Sequence, residues 1–480
     1  MFTRLFQKKI IGGSESSETG LKRTLGVKQL TALGIGAIIG AGIFVYTGQA
    51  AAEFAGPGVI FSFIFAAIIC VFAAFCYAEF ASLIPTSGGP YAYAYATLGE
   101  FAAWVIGWGL TLEYLVSASA VSVSFSGYFS SFMKDFGVTL STAWTTSPLQ
   151  YEVTTGWAFS GSYLNIPAIL IVAFIGGMVS IGIRSASLLN NIMVAIKLIV
   201  IFLFVGLGVF FINTDNWVPL IPENTGVFGE FGWSGIFRGA GLIFFAYIGF
   251  DSLSTLGNEC RNPQKDLPIG MMASLGISTL LYVIVSLVLT GVVSYKLLFV
   301  PDPFSIAIDV LGSKFIWLRL FVKLAILAAL CSVILVMFLG QTRIFFSMSQ
   351  DGLLPKFFGK IHPKFGTPFK NSMLVLVVAM ILAGTLPVVM LGQLVSMGAL
   401  FAFAFVCFSV LVLHFTQPNL KRPFRTPFSP WVPLLGTLIC IFQMCFLPMV
   451  TWMQLLVWML VGIVVYFCYS IKHSKLTLQK

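Results

Sequence analysis

Apolar residues run along this chain in stretches of about 20, the length at which an α-helix crosses a hydrocarbon core, with short polar breaks between them. Read at that length, the pattern predicts helices near 28–54, 58–84, 101–132, 164–183, 190–212, 232–257, 268–293, 315–348, 371–388, 391–415, 431–448 and 452–471. A single such run could be a buried core helix. A dozen cannot, because a soluble fold has nothing to cover them with. The pattern therefore predicts an all-α membrane protein with 12 transmembrane helices. The longest break, 133–163, contains Trp144, Trp157 and several Ser and Thr, and reads as an external loop.

Composition agrees: 58% of the residues are hydrophobic and 9% charged, against roughly 45–50% and about 25% in soluble domains. The net charge of +10 could suggest a nucleic-acid partner, but its distribution is topological. An even number of spans puts both ends of the chain on one side. Twenty of the 27 Lys and Arg residues then share that side. They are Arg4, Lys8, Lys9, Lys22, Arg23, Lys28, Arg184, Arg261, Lys265, Arg343, Lys356, Lys360, Lys364, Lys370, Lys421, Arg422, Arg425, Lys472, Lys475 and Lys480. Lys134, Arg238, Lys296, Lys314 and Arg319 face the other way. The positive-inside rule makes the first side cytoplasmic and the protein a multi-pass protein of the cytoplasmic membrane. The polar N-terminal tail has no apolar h-region, so no cleavable signal is expected.

Several classes drop out. The eight cysteines lack disulfide-framework or zinc spacing, and all but Cys260 sit in apolar runs, so they read as small hydrophobes. No GxxxxGK[ST] motif occurs, which argues against a nucleotide-driven pump. HExxH and GxSxG are also missing, so an intramembrane enzyme is not expected. No repeated filter suggests a channel, and no soluble output domain suggests a sensor. No metal or organic cofactor is expected, and the partners are a small solute and the lipid bilayer.

Two spans are unlike the rest. The first contains Gly34-Ile35-Gly36-Ala37-Ile38-Ile39-Gly40-Ala41-Gly42-Ile43-Phe44, four glycines in nine residues. Each costs about 1 kcal/mol against Ala in a helix. Gly36 and Gly40 alone would fit close packing between helices. Gly34 and Gly42 extend the set beyond one face and favour local unwinding. The sixth span contains Gly239-Ala240-Gly241-Leu242-Ile243-Phe244-Phe245-Ala246-Tyr247-Ile248-Gly249-Phe250-Asp251, with sparser glycines. Interrupted helices at matching positions in two halves mark inverted repeats with the site at their interface. Unwound backbone exposes N–H groups suited to a carboxylate and carbonyls suited to an ammonium. One break of each kind makes a receptor for a zwitterion, an α-amino acid.

These residues resemble a known family. The stretch Gly36–Phe44 and the run Pro85-Thr86-Ser87-Gly88-Gly89-Pro90-Tyr91-Ala92-Tyr93 are similar to signatures of the amino acid–polyamine–organocation (APC) superfamily. Gly107-Trp108, Leu112-Glu113-Tyr114, the run 244–251, Asn262-Pro263-Gln264-Lys265-Asp266-Leu267-Pro268 and the run 348–355 resemble its bacterial cationic-amino-acid-transporter-like branch. The resemblance covers about 25–472 in order. It implies a leucine-transporter-type fold of 5+5 inverted repeats. The chain then divides into a cytoplasmic tail 1–27, repeats 28–212 and 232–415, two added helices in 431–472, and a tail 473–480. By motif position, the substrate site comprises Ile39, Ala41, Gly42, Phe245, Ala246 and Ile248. The Ala41 and Gly42 amides would hold the carboxylate, and the Phe245, Ala246 and Ile248 carbonyls the ammonium. Phe245 is either a gate or ordinary packing. Ile38, Ile43, Ile248 and Ile334 would wall an apolar side-chain pocket, which favours neutral amino acids over cationic ones.

Ionisable groups at membrane depth cost about 2.5–3.5 kcal/mol each even on lenient scales. Lys197, in Val194-Ala195-Ile196-Lys197-Leu198-Ile199, either snorkels or has an internal role. The resemblance implies that it stands where sodium sits in sodium-coupled relatives, facing the Gly36 and Ile39 carbonyls and the Ser332 hydroxyl. Here Cys331 precedes that serine where relatives often carry Thr. A titratable group there suits proton coupling, with no sodium expected. Glu113 is a second coupling candidate, or a structural acid bonded to the unwound first helix. Glu79 and Glu259 are expected to cap, to pair with loop lysines or to latch the inner gate; Asp251 could satisfy amides freed in span 6. Glu53 and Lys323 are expected to reach the interface. The three histidines fall at cytoplasmic positions, so no histidine relay is expected. The leading expectation is proton-coupled uptake of amino acids. Amino-acid exchange, and transport of cationic amino acids or polyamines on the same fold, are the alternatives.

Overall fold

The computed structural model describes residues 7–8, 25–85, 88–152, 156–182, 186–312 and 316–475. Most of the N-terminal tail, Thr86, Ser87, Arg184, Lys314, the Glu259 side chain and 476–480 lie outside the described residues. Among the described residues, eight helical stretches are long and apolar enough to cross a membrane, and four more apolar helices are shorter.

The chain begins with α1 (Val27–Ile38). Ile39 then turns extended, at φ −75° and ψ 106°. Helix resumes as Gly42–Tyr46, Thr47–Ala50 and Ala51–Ala55, alternating π- and α-turns. Next come α2 (Val59–Leu83), a short α3 (Gly89–Thr97) and the long α4 (Glu100–Asp135). An antiparallel hairpin of β1 (Leu149–Glu152) and β2 (Gly156–Phe159) lies in the predicted loop after α4. α5 (Ile166–Ile181), α6 (Ala186–Gly208) and α7 (Gly232–Ile243) follow.

After α7 the chain makes a 3-10 turn, Phe244–Tyr247. Ile248 is extended at ψ 134°. Gly249 has φ 126°, a value that side chains with a Cβ rarely adopt. A 3-10 stretch, Asp251–Glu259, completes this predicted span. Then come α8 (Pro263–Val292), a short α9 (Pro303–Val310), α10 (Ile316–Gln350), α11 (Phe369–Thr385), α12 (Val388–Thr416), α13 (Trp431–Met444) and α14 (Met449–Val465). The hydrophobic pattern did not predict α3 or α9. Both are too short to show as apolar runs, and each carries a proline in its first turn, which favours helix initiation.

The helices pack in two groups. α8 lies against α1 and α2, and α2 against α7; α4 lies against α5, α10 and α11, and α5 against α11. α12 bridges α4 to α2, and α13 and α14 pack on α12. The two chain ends meet at one end of the bundle. The Glu100 amide bonds the Gln7 carbonyl at 3.1 Å, and its carboxylate takes the Ser474 hydroxyl and those of Tyr95 and Tyr466. At the opposite end Asp135 binds Arg319 and Lys323, each at 2.6 Å. Lys323 is therefore held inside the protein: it is fully buried and ion-paired.

The two interrupted helices touch each other, and glycine makes this possible. A Cβ at Gly42 would sit 2.2 Å from the Ala246 Cβ, and one at Gly249 would sit 2.8 Å from the Ala37 carbonyl carbon. Each break thus presents a glycine to the other's backbone. Gly42→Ala is expected to cost about 1–3 kcal/mol of stability by overpacking. Gly177→Ala, inside α5 where a Cβ meets nothing within 4 Å, should not destabilise and should gain up to about 1 kcal/mol from helix propensity. Melting temperatures of the purified variants check this; equal melting of the two would show that the breaks are not in contact.

Candidate functional site

A small buried cavity of about 10 Å³, room for about one water molecule, lies where the breaks meet. Ala37, Ile38, Gly40, Ala41 and Gly42 wall it from the first break, and Phe245 and Ile248 from the second. Ser117 of α4 and Val333 and Met337 of α10 close the opposite side. Of the predicted site residues, Ala41, Gly42, Phe245 and Ile248 line this space, whereas Ile39 and Ala246 do not. Ile43 and Ile334 are also absent from its wall. Val333 and Met337 take the place expected of Ile334, because the α10 face turned to the break is set by the close approach of Val333 to Gly40.

The backbone groups of the first break divide into used and unused. Helix restarts at Ala41, so the first-turn amides have no carbonyl one turn back. Among the described residues, no backbone acceptor outside the helix reaches the Ala41 or Gly42 amide. The carbonyls at the end of α1 are occupied. Lys197 Nζ, fully buried, donates to Gly36 O at 2.6 Å and Ile39 O at 2.8 Å. Its ammonium therefore does not snorkel; it sits at the carbonyl end of a half-helix, where the dipole favours positive charge. Ser332 is not a partner: its hydroxyl donates to Ala329 O at 2.8 Å, one turn back along its own helix.

Tyr282 of α8 joins the two breaks. Its hydroxyl lies 2.9 Å from Ile38 O and 2.8 Å from Ala246 O, so the Ala246 carbonyl is already engaged. In the second break the Asp251 carboxylate accepts from the Gly249 amide at 2.9 Å and the Tyr114 hydroxyl at 2.6 Å. This is the role expected of an acid placed just after unwound backbone. Glu113 is fully buried, and neither of its carboxyl oxygens has a hydrogen-bond partner among the described residues. Of the two readings of Glu113, the bond to the first helix is not formed among the described residues. The Tyr46 and Phe245 rings pack at a tilt of 55° with centroids 4.9 Å apart, Phe245 lying in the cavity wall.

The acid at the end of α2 also differs from expectation. Glu79 pairs with His414 at 2.8 Å and Arg422 at 2.9 Å rather than with lysines, and it accepts the Thr426 amide at 2.8 Å. It ties the loop after α12 to α2 and is not part of the cavity wall. The hydrophobic pattern did not point to Ser117, Met337, Tyr282, Tyr114 or Tyr46. One sequence signal was available for Ser117: it falls four residues after Glu113 and so shares its helix face.

A membrane bundle with two interrupted helices around a closed cavity is the architecture of a solute transporter. The chain matches the family described as amino acid permease over residues 25–468, and it belongs to that family. It is 42% identical over 474 residues to the methylthioribose transporter of Bacillus subtilis, covering 98% of this chain and 99% of that one. It is equally similar, 42% over 478 residues with 98% and 99% coverage, to the branched-chain amino acid permease BcaP of Bacillus subtilis. Human cationic amino acid transporter 4 is 34% identical over 436 residues, covering 88% of this chain and 66% of that one.

Tyr282→Phe removes the one hydroxyl proton that the Ile38 and Ala246 carbonyls share and leaves both without it. A loss of about 1–3 kcal/mol is expected, read as a lower melting temperature of the purified protein. Unchanged melting would mean that this hydroxyl does not hold the breaks together.

Proposed function

We propose that the chain is a secondary active transporter that takes neutral L-amino acids up across the cytoplasmic membrane with protons, by alternating access. The observation that carries this reading is Lys197, buried with both hydrogen bonds on carbonyls of the first break. Among the described residues no carboxylate faces it within ion-pair distance, so its charge is balanced only by backbone dipoles. Such an ammonium can give up its proton without breaking an ion pair, and it fills a carbonyl cradle that would otherwise suit a sodium ion. The free amides at Ala41 and Gly42 suit the substrate carboxylate, and the Phe245 and Ile248 region its ammonium. Ser332 takes no part in the proton site, and Glu113 is kept as a second proton-bearing group.

Twelve spans in 5+5 inverted repeats, with both termini cytoplasmic, fit the packing. Adding six to each helix number maps the first repeat, α1–α6, onto the second, α7–α12. Under that exchange α2 on α7 becomes α8 on α1, and α4 on α12 becomes α10 on α6; both pairs pack. The same holds for α4 on α11 and α10 on α5, and for α3 on α4 and α9 on α10. The end of the bundle where the chain termini meet also carries Arg261, Lys265, Lys356, Lys360 and Arg422, as the positive-inside rule asks of the cytoplasmic side. The exchange is consistent with repeats at 28–212 and 232–415 and with 431–472 as two added helices. The apolar cavity wall, and a relative described as a branched-chain amino acid permease, support a neutral substrate.

Thermal-shift measurement against the twenty amino acids, followed by uptake into proteoliposomes with and without an inward proton gradient, tests the reading. At least one neutral amino acid should stabilise the protein, and its accumulation should follow the proton gradient. Lys197→Ala is expected to abolish accumulation while sparing exchange. Uptake driven by sodium, or full accumulation by Lys197→Ala, would overturn the coupling.

A further inference from the structure

α4 crosses the bundle as one unbroken helix and carries a series of buried hydroxyls. Most of those near its centre satisfy themselves by bonding the carbonyl one turn back: Thr111 to Gly107, Ser119 to Leu115, Ser122 to Ala118 and Ser124 to Ala120, at 2.7–3.0 Å. Ser117 lies in the same run and is fully buried, yet its hydroxyl has no hydrogen-bond partner among the described residues. It is also a polar side chain in the cavity wall formed by scaffold helices, beside the apolar Val333 and Met337 of α10. A buried hydroxyl without a partner costs about 1–3 kcal/mol. The cavity at this size admits about one water, which can serve the hydroxyl in the empty protein; a substrate hydroxyl that displaces it as the cavity widens would take over that bond.

The geometry separates the two ends of a bound amino acid. The backbone groups that suit a carboxylate and an ammonium belong to the two breaks, on one side of the cavity. Ser117, Val333 and Met337 face them from the other side, where the substrate side chain must lie. We propose that Ser117 reads the substrate side chain, and that the preferred substrate is a short neutral amino acid bearing a hydroxyl, of the threonine or serine type. This rests on the transport reading above and narrows it. Glu113, one turn along the same face, is not part of the cavity wall, so a cationic side chain finds no carboxylate in this space.

Threonine and valine test the assignment, because they differ by a hydroxyl in place of a methyl. Affinities of purified wild type, Ser117→Ala and Ser117→Cys for L-threonine, L-valine and L-lysine are measured by thermal stabilisation or by competition. Wild type should bind threonine about tenfold more tightly than valine, the scale of one added hydrogen bond. Ser117→Ala should bring the ratio close to one, mainly through loss of threonine affinity. Ser117→Cys, nearly the same size with a weaker donor, should fall between them and guards against a folding defect in the alanine variant. A threonine-to-valine ratio unchanged by both substitutions overturns the proposal, as does equal loss for both ligands, which would put the hydroxyl on the substrate backbone. Tightest binding of lysine overturns it too. A wild type that binds valine and threonine alike removes this inference alone, whereas one that no amino acid stabilises removes the transport reading as well.

Discussion

The fold depends on one constraint: inside a membrane, backbone polar groups released from a helix must find partners within the protein. Two helices are released here, and they meet. Gly42 against Ala246 and Gly249 against Ala37 bring the two unwound backbones into contact. No residue with a Cβ fits at Gly42 without displacing Ala246. Tyr282 spans both breaks from α8, and the Tyr128 hydroxyl covers Phe44 O at 2.8 Å. The breaks are thus a built junction, partly satisfied by tyrosines, with a small cavity where satisfaction is incomplete.

Charge is distributed across that junction in a complementary way. The end of α1 exposes carbonyls and receives the ammonium of Lys197; the restart after Gly249 exposes an amide and receives the carboxylate of Asp251. Each ion sits at the helix end whose dipole favours it. The two ions share no hydrogen bond; each belongs to its own break. Deprotonating Lys197 would therefore weaken the hold on α1 while leaving the second break fixed by Asp251 and Tyr114. In the proton-coupled reading, this local asymmetry is how a proton would bias one helix of the pair.

The sequence made some of this legible and not the rest, for physical reasons. Clustered glycines and a lysine in an apolar run violate local rules, so the breaks and Lys197 could be read from residues alone. Tyr282 and Ser117 violate nothing: a tyrosine and a serine in a membrane helix are ordinary until a neighbouring helix decides what they face. Ser332 failed as a partner because a serine in a helix can bond its own preceding turn, an option that spacing does not reveal. Lys323 looked like a snorkelling residue because Asp135, its partner, lies 188 positions away in the chain. The helices α3 and α9 escaped because both are too short to show as apolar runs.

The cavity lies between two groups of helices that are each packed more closely within than between. α1, α2, α7 and α8 form one group and contain both breaks; α4, α5, α10 and α11 form the other and contribute Ser117, Val333 and Met337. Glycine contacts and the Tyr282 bridge hold the first group together, and ion pairs from Asp135 to Arg319 and Lys323 link α4 to α10 in the second. A substrate bound between them would touch backbone on one group and side chains on the other. If the groups move as units, the ends of the amino acid stay on the breaks while the side-chain wall shifts past them. Recognition of the zwitterion and discrimination among side chains would then be carried by different bodies, so access could change without undoing the backbone junction that defines the site.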